Sequence, residues 1–266
     1  MLIRPGRSSG NLIDRRGGRG GKVGLGLGGL VVLLIGAFFG LDLSPLLGGG
    51  GAAPSASVEP SAPTDDAGQA VEAILVETED VWGRLYRDAG ETYPEPNLVL
   101  YDGTTPTGCG YGQAATGPFY CPSDRTVYID LSFFRQLQRM GARGDFPIAY
   151  VIAHEVAHHV QNVEGVLTRS RSNAMSVQTE LQADCLAGVW THHAQANDAQ
   201  AQSGVFIDDA DIEEAMSAAA AVGDDRIQQG SGQAVRPESF THGSARQRVE
   251  AFTAGYRSGD YGVCFG

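Results

Sequence analysis

From residue 69 onward the apolar residues recur mainly at helical intervals. In Gln69–Gly90, Val71, Ile74, Leu75, Trp82, Leu85 and Tyr86 keep a three-to-four-residue spacing, and Gly90 can stop the helix. Asn97–Gly103 reads as a short strand ending in a turn. Gly117–Leu131 alternates on either side of a Pro-Ser-Asp turn, as a hairpin does. The next pattern is a helix with Asp145 near its N-cap, Pro147 in its first turn and a stop at Gly165. Ser170–Ala196, Asp208–Gly223 and Thr241–Gly259 predict three further helices, the second with acids in its first turn, where the helix dipole favours them. Few strands followed mostly by helices predict an α+β domain.

The first 68 residues follow another pattern. Val23–Leu41 is a run of 19 residues without a charge. At 1.5 Å per residue it spans about 28 Å, close to the ~30 Å hydrocarbon core, and so predicts one N-terminal transmembrane helix. A cleaved signal peptide is the rival, with the small residues of Gly51–Ser57 as a weak cleavage site. Gly36–Gly40 fits a small-xxx-small packing pattern, but in so glycine-rich a run composition explains it. Residues 42–68 are rich in Gly, Pro, Ser and Ala and cannot bury a core, so they read as a linker. The expected organisation is a basic cytoplasmic N-terminus at 1–22, a membrane helix at 23–41, a linker at 42–68 and one extracytoplasmic domain at 69–266.

Charge sharpens this reading. The whole chain carries −12, yet residues 1–22 hold six of its 19 basic side chains and one of its 31 acids. The basic excess before the apolar run predicts a cytoplasmic N-terminus and a domain outside the cytoplasmic membrane. The acidic remainder argues against nucleic acid as a partner, because phosphate binding relies on clustered Lys and Arg.

The candidate chemistry sits on the fourth predicted segment, which contains His154-Glu155-Val156-Ala157-His158. Four residues apart on a helix, His154 and His158 share a face and can reach one Zn²⁺. Glu155, beside them, can act as general base. A catalytic zinc takes a third protein ligand and leaves a position for water. Glu164 and Glu180 compete for that place. Glu164 lies ten residues beyond His154, about 280° round a continuous helix, and points elsewhere. Glu180 lies on the next helix, which could present it to the metal, with Asp184 one turn later to accept a hydrogen bond from a ligand histidine. His159 is about 100° off the His158 direction and reads as a surface or packing residue. His192 and His193 read as cationic cap residues at a helix end, and Gln161 and Asn162 as ordinary polar residues.

At this point the chain resembles the neutral zinc metallopeptidases of bacteria, a membrane-anchored family related in site layout to the gluzincins. The stretches that carry the resemblance are GPFYCPSDRTVYIDLSFF, AYVIAHEVAHHVQN, ELQADCLAGVW, SFTHGSARQRV and SGDYGVC, in family order from about Cys109 to Cys264. Ala157 stands where glycine is more usual, a change that should only favour the helix. The resemblance implies a zincin-like fold, mostly helical with a small N-terminal β-sheet, with His154, His158 and Glu180 as zinc ligands and Glu155 as base. Related gluzincins use a downstream histidine on the developing oxyanion. His242, in SFTHGSARQRV, is the residue this resemblance implies.

Cys109, Cys121, Cys185 and Cys264 are an even number in a domain expected outside the cytoplasm and suggest disulfides. Cys109–Cys121 would close a short loop, leaving Cys185–Cys264 to tie the ligand helix to the C-terminus. The expected function is a membrane-anchored zinc peptidase acting on a protein or peptide substrate with metal-activated water. The Thr126–Asp130 strand could offer its edge to an extended substrate. The alternative is a non-catalytic anchored binding or scaffold protein with a structural zinc. Glu155 separates the two, since a scaffold has no need of a base there.

Overall fold

The computed structural model describes residues 1–4, 6–17, 63–167, 172–196 and 203–266. In chain order these form β1 (Leu2–Ile3), β2 (Leu12–Asp14), α1 (Asp66–Asp88), β3 (Asn97–Leu100), β4 (Thr104–Thr107), β5 (Gly110–Gln113), β6 (Phe119–Cys121), β7 (Thr126–Ile129) and α2 (Ser132–Arg139). There follow α3 (Pro147–Val163), α4 (Asn173–Ala196), β8 (Val205–Phe206), α5 (Asp209–Ala221), α6 (Asp224–Gly230) and α7 (Ala245–Ser258). The domain is α+β, as the alternation of patterns predicts.

The main sheet has the order β2-β3-β7-β6. β2, β3 and β7 run parallel, and β6 returns antiparallel to β7 as the arm of the predicted hairpin. β4 and β5 form a separate antiparallel ribbon, and β1 pairs with β8. This corrects one expectation. The Thr126–Ile129 strand lies inside the sheet, hydrogen-bonded on both sides, so its backbone has no edge to offer. The free edge on that side belongs to β6.

A larger correction concerns the N-terminus. Met1–Arg16 and Pro60–Gly266 form one compact unit. The boundaries expected at 1–22 and 69 therefore do not hold: β2 completes the sheet of the folded domain, and Asp65 already caps α1 by accepting from Gly68 N at 2.9 Å. Val23–Leu41 and the expected linker as far as 62 lie outside the described residues. Among the described residues, no helix is long and apolar enough to cross a membrane.

The core explains why α3 carries the site. Phe146, Ala149, Ile152, Ala153, Val156, Ala157 and Val160 are buried together with Trp190 of α4, Val71, Ile74 and Trp82 of α1, and Leu98, Val127 and Ile129 of the sheet. A helix apolar around most of its circumference must sit in the middle of a domain, so its few polar side chains open into the interior. α4 and α7 approach even more closely. A Cβ on Gly188 would stand 2.1 Å from the Phe252 carbonyl oxygen, and one on Gly255 would stand 1.9 Å from that of Cys185. Only glycine at both positions lets the two backbones touch, and this contact carries Arg248 of α7 up against α4.

Candidate metal centre

α3 places His154 and His158 one turn apart, with ring centroids 4.8 Å from each other and planes at 85°. α4 brings Glu180 between them: His154 Nε2 lies 3.1 Å from Glu180 Oε2, and His158 Nε2 lies 3.6 Å from Glu180 Oε1. Ligands at about 2.0–2.1 Å around a tetrahedral zinc stand roughly 3.3 Å from one another. The three side chains therefore suit a single ion of that size, and two imidazoles with one carboxylate form the donor set of an open zinc site.

The inner nitrogens decide which atoms face the metal. His154 Nδ1 donates to Asp184 Oδ1 at 2.9 Å, and His158 Nδ1 donates to Gln161 Oε1 at 2.8 Å. With each Nδ1 engaged as donor, Nε2 is the nitrogen of each ring that can turn a lone pair to a metal, in exchange for any proton held there. The hydrogen-bond acceptor that fixes His158 comes from its own helix, three residues on. Gln161 is fully buried and spans to α4, its amide donating to Thr179 O at 2.8 Å and Gln182 Oε1 at 2.7 Å. By sequence alone Gln161 is ordinary helix-end polarity. The i, i+3 spacing to His158 was visible, but not the burial.

Asp184 is the hub beneath the site and has no exposure. Its Oδ1 accepts from Tyr150 OH at 2.5 Å, and Arg248 Nε donates to its Oδ2 at 2.8 Å. Arg248 is itself only 3% exposed. Burial alone would raise the Asp184 pKa, but the positive charges of Arg248 and His154 outweigh it and hold the carboxyl below the ordinary range. Burial also acts against a charged His154, yet Asp184 and Glu180 raise its pKa to about 10. Desolvation pushes Glu155 above the usual carboxylate value, partly offset by the two histidines. A carboxylate with a raised pKa is a better proton acceptor at neutral pH.

His154, Glu155, His158 and Glu180 line a cavity of about 640 Å³. Thr116–Tyr120, leading into and along β6, form one wall, and His242 lies on the rim. The His242 turn is organised by Asp224, whose Oδ2 accepts from the backbone N of Thr241, His242 and Gly243 at 2.7, 2.7 and 3.0 Å, while its Oδ1 lies 3.3 Å from His242 Nδ1. The imidazole remains half-exposed toward the cavity.

The competing residues fall elsewhere. Glu164 accepts a 2.6 Å hydrogen bond from Tyr86 OH, away from the histidine pair. His159 is fully buried between Tyr120 OH at 2.9 Å and Pro94 O at 2.5 Å. It packs the sheet against α3, and so is a packing and not a surface residue. His192 and His193 donate to Tyr256 O and Gly259 O, tying α4 to the end of α7 instead of capping their own helix. Cys109–Cys121 and Cys185–Cys264 are both bridged. A second acidic group, Asp145, Asp211 and Glu214, is occupied with backbone: Asp211 accepts from Asp208 N, and Glu214 from Asp145 N and Phe146 N.

Comparison with known proteins points to one family. The family described as "Putative neutral zinc metallopeptidase" matches residues 1–265. The chain is 45% identical to the uncharacterized protein YpfJ of Escherichia coli (strain K12), over 97% of this chain and 96% of that one. It is 43% identical to the uncharacterized protein Mb2605 of Mycobacterium bovis, over 75% of this chain and 71% of that one. No solved structure matches the chain.

Proposed function

The chain belongs to the neutral zinc metallopeptidase family, and on that premise we propose that it hydrolyses peptide bonds at the His154–His158–Glu180 centre. The observation that carries this reading is Glu155. A buried carboxylate beside a three-ligand centre, opening into a cavity large enough for a peptide, has a use in catalysis and none in a structural zinc site.

His154 Nε2, His158 Nε2 and Glu180 would hold the zinc. Bound there, the ion supplies a Lewis acid for the scissile carbonyl and a lower pKa for the attacking water. Glu155 orients that water, accepts its proton as the nucleophile adds to the carbonyl carbon, and returns the proton to the leaving nitrogen. His242, steadied by Asp224, donates a hydrogen bond to the oxygen on which negative charge develops. The substrate backbone lies along the outer edge of β6, at Phe119–Cys121, where strand addition would present a peptide bond to the centre.

Location is a further part of this proposal. The uncharged run Val23–Leu41 supports attachment to a membrane. Two disulfides support a domain that folds on the oxidising side of it.

The experiment is cleavage of a reduced, unfolded protein by the purified full chain, with and without a chelator, beside Glu155→Gln. Chelation should abolish cleavage, and Glu155→Gln should lower kcat by ~10²–10⁴-fold with zinc retained. A zinc-loaded wild type that cleaves no unfolded protein or peptide library would favour the scaffold reading.

A further inference from the structure

Six basic side chains precede the apolar run, and their excess is the whole argument for a cytoplasmic N-terminus. Four of the six make contacts with the folded unit, Arg4 and Arg7 at its surface and Arg15 and Arg16 half-buried. Arg4 donates its backbone N to Gly204 O at 2.8 Å, and its guanidinium stands 4.7 Å from the Phe206 ring centroid. Arg7 Nη2 pairs with Asp80 at 2.6 Å. Arg15 Nη1 donates to Thr105 Oγ1 at 3.1 Å. Arg16 Nη2 bridges Asp14 and Asp65, at 2.6 Å to each.

The backbone and the polar side chains between them are engaged as deeply. β2 runs in parallel register with β3, Leu12 opposite Leu98 and Asp14 opposite Leu100, and Leu12 is 1% exposed. Ser9 Oγ and Asn11 Nδ2 both donate to Glu79 Oε1, at 2.5 and 2.8 Å, and Glu79 is otherwise a carboxylate buried in α1. A buried carboxylate left without donors is costly, so withdrawing β2 would open the sheet edge and strand Glu79 together. The family match also runs from residue 1.

From this packing we infer that Met1–Arg16 and residues 63–266 occupy the same side of any membrane the protein meets, so that Val23–Leu41 does not cross it as a single span. The reason is topological. A chain that leaves a folded unit and returns to it crosses a bilayer an even number of times. Here the departing and returning ends are joined by the Arg16–Asp65 ion pair. Two crossings need two apolar stretches of about 20 residues. Between Arg16 and Pro60 the sequence offers one, and residues 42–59 carry Asp42, Pro45, Gly48–Gly51, Pro54 and Glu59 instead. The sequence therefore offers material for one crossing, an odd number, and a unit that holds both flanking segments excludes an odd number. This inference does not depend on the peptidase reading: an inactive chain would have the same topology.

The test uses the full chain in a bacterial membrane, with Gly10→Cys and Ala234→Cys made singly. Both positions are exposed, and a Cβ on Gly10 meets nothing within 4 Å. A membrane-impermeant maleimide is applied to intact spheroplasts and to inside-out vesicles. Both cysteines should label in the same preparation and neither in the other. Labelling in opposite preparations would restore the single-span topology and overturn the inference. Ile13→Cys with Val99→Cys gives a second reading, since the two positions are partners across β2 and β3. With diamide the pair should close into a disulfide, seen as a reductant-sensitive mobility shift; two free thiols in the membrane-bound chain would equally overturn it.

Discussion

Arg248 Nε lies 2.8 Å from Asp184 Oδ2, with both side chains almost completely buried, 64 residues apart in the chain. This pair sits directly under the candidate metal centre, because the opposite oxygen of Asp184 holds His154 Nδ1. Removing the cation while leaving Asp184 in place strands a buried charge. Arg248→Ala should therefore destabilise the domain by about 3–5 kcal/mol, the usual cost of breaking a buried pair from one side. The measurement is the urea midpoint of the metal-free protein. A change under about 1 kcal/mol would show that water reaches Asp184 and that the pair is not the support described here.

The ligands themselves should behave as a set. The purified chain should hold about one zinc, and His154→Ala, His158→Ala and Glu180→Ala should each lose most of it. Glu164→Ala should keep it, since that carboxylate is bonded to Tyr86. Metal analysis of the four variants decides the point. An empty site in Glu164→Ala with a full one in Glu180→Ala would refute the ligand assignment.

Gln161 makes a finer prediction. Its side-chain oxygen accepts from His158 and its nitrogen donates to α4. Gln161→Leu removes the acceptor and should weaken zinc binding by about 10–100-fold, the range for a lost partner of a ligand histidine. Gln161→Glu keeps an oxygen for His158 and should recover part of the affinity. Competition with a chromophoric chelator measures both; equal affinities for Leu and Gln would remove Gln161 from the site.

His242→Ala should keep full zinc content and lower kcat by ~10²–10³-fold, the cost of one oxyanion donor, with little change in KM. Asp224 holds three successive backbone N–H groups of the His242 turn, so Asp224→Ala should lower kcat as well, again without loss of zinc. Should His242→Ala lose the metal, the histidine is a ligand; should it keep full kcat, the turn is only structural.

Local physics made part of this protein legible in its sequence. The spacing of His154, Glu155 and His158 has meaning as soon as the segment is helical, and the apolar residues around it require that it be a helix. The placing of Glu180 and Asp184 beside the histidine pair followed from needing a second helix next to the first, and even cysteine numbers pointed to the two bridges. These inferences rest on residues within a turn or two of one another, or on the coordination chemistry of one ion.

What the tertiary structure decided depends on contacts between distant residues. Leu12-Ile13-Asp14 is too short for an alternation to register, and it becomes a strand only because β3, more than 80 residues later, has an edge to pair. Counting charges before Val23 gave the N-terminus a place across a membrane. Packing shows four of those charges in contact with the domain itself, Arg4 over the Phe206 ring among them. Gln161 and Arg248 look like surface residues by type, and burial alone turned them into supports of the centre. Polar residues signal their role only through the partners they find, and a parallel strand or a glycine-to-glycine helix contact can bring those partners from anywhere in the chain.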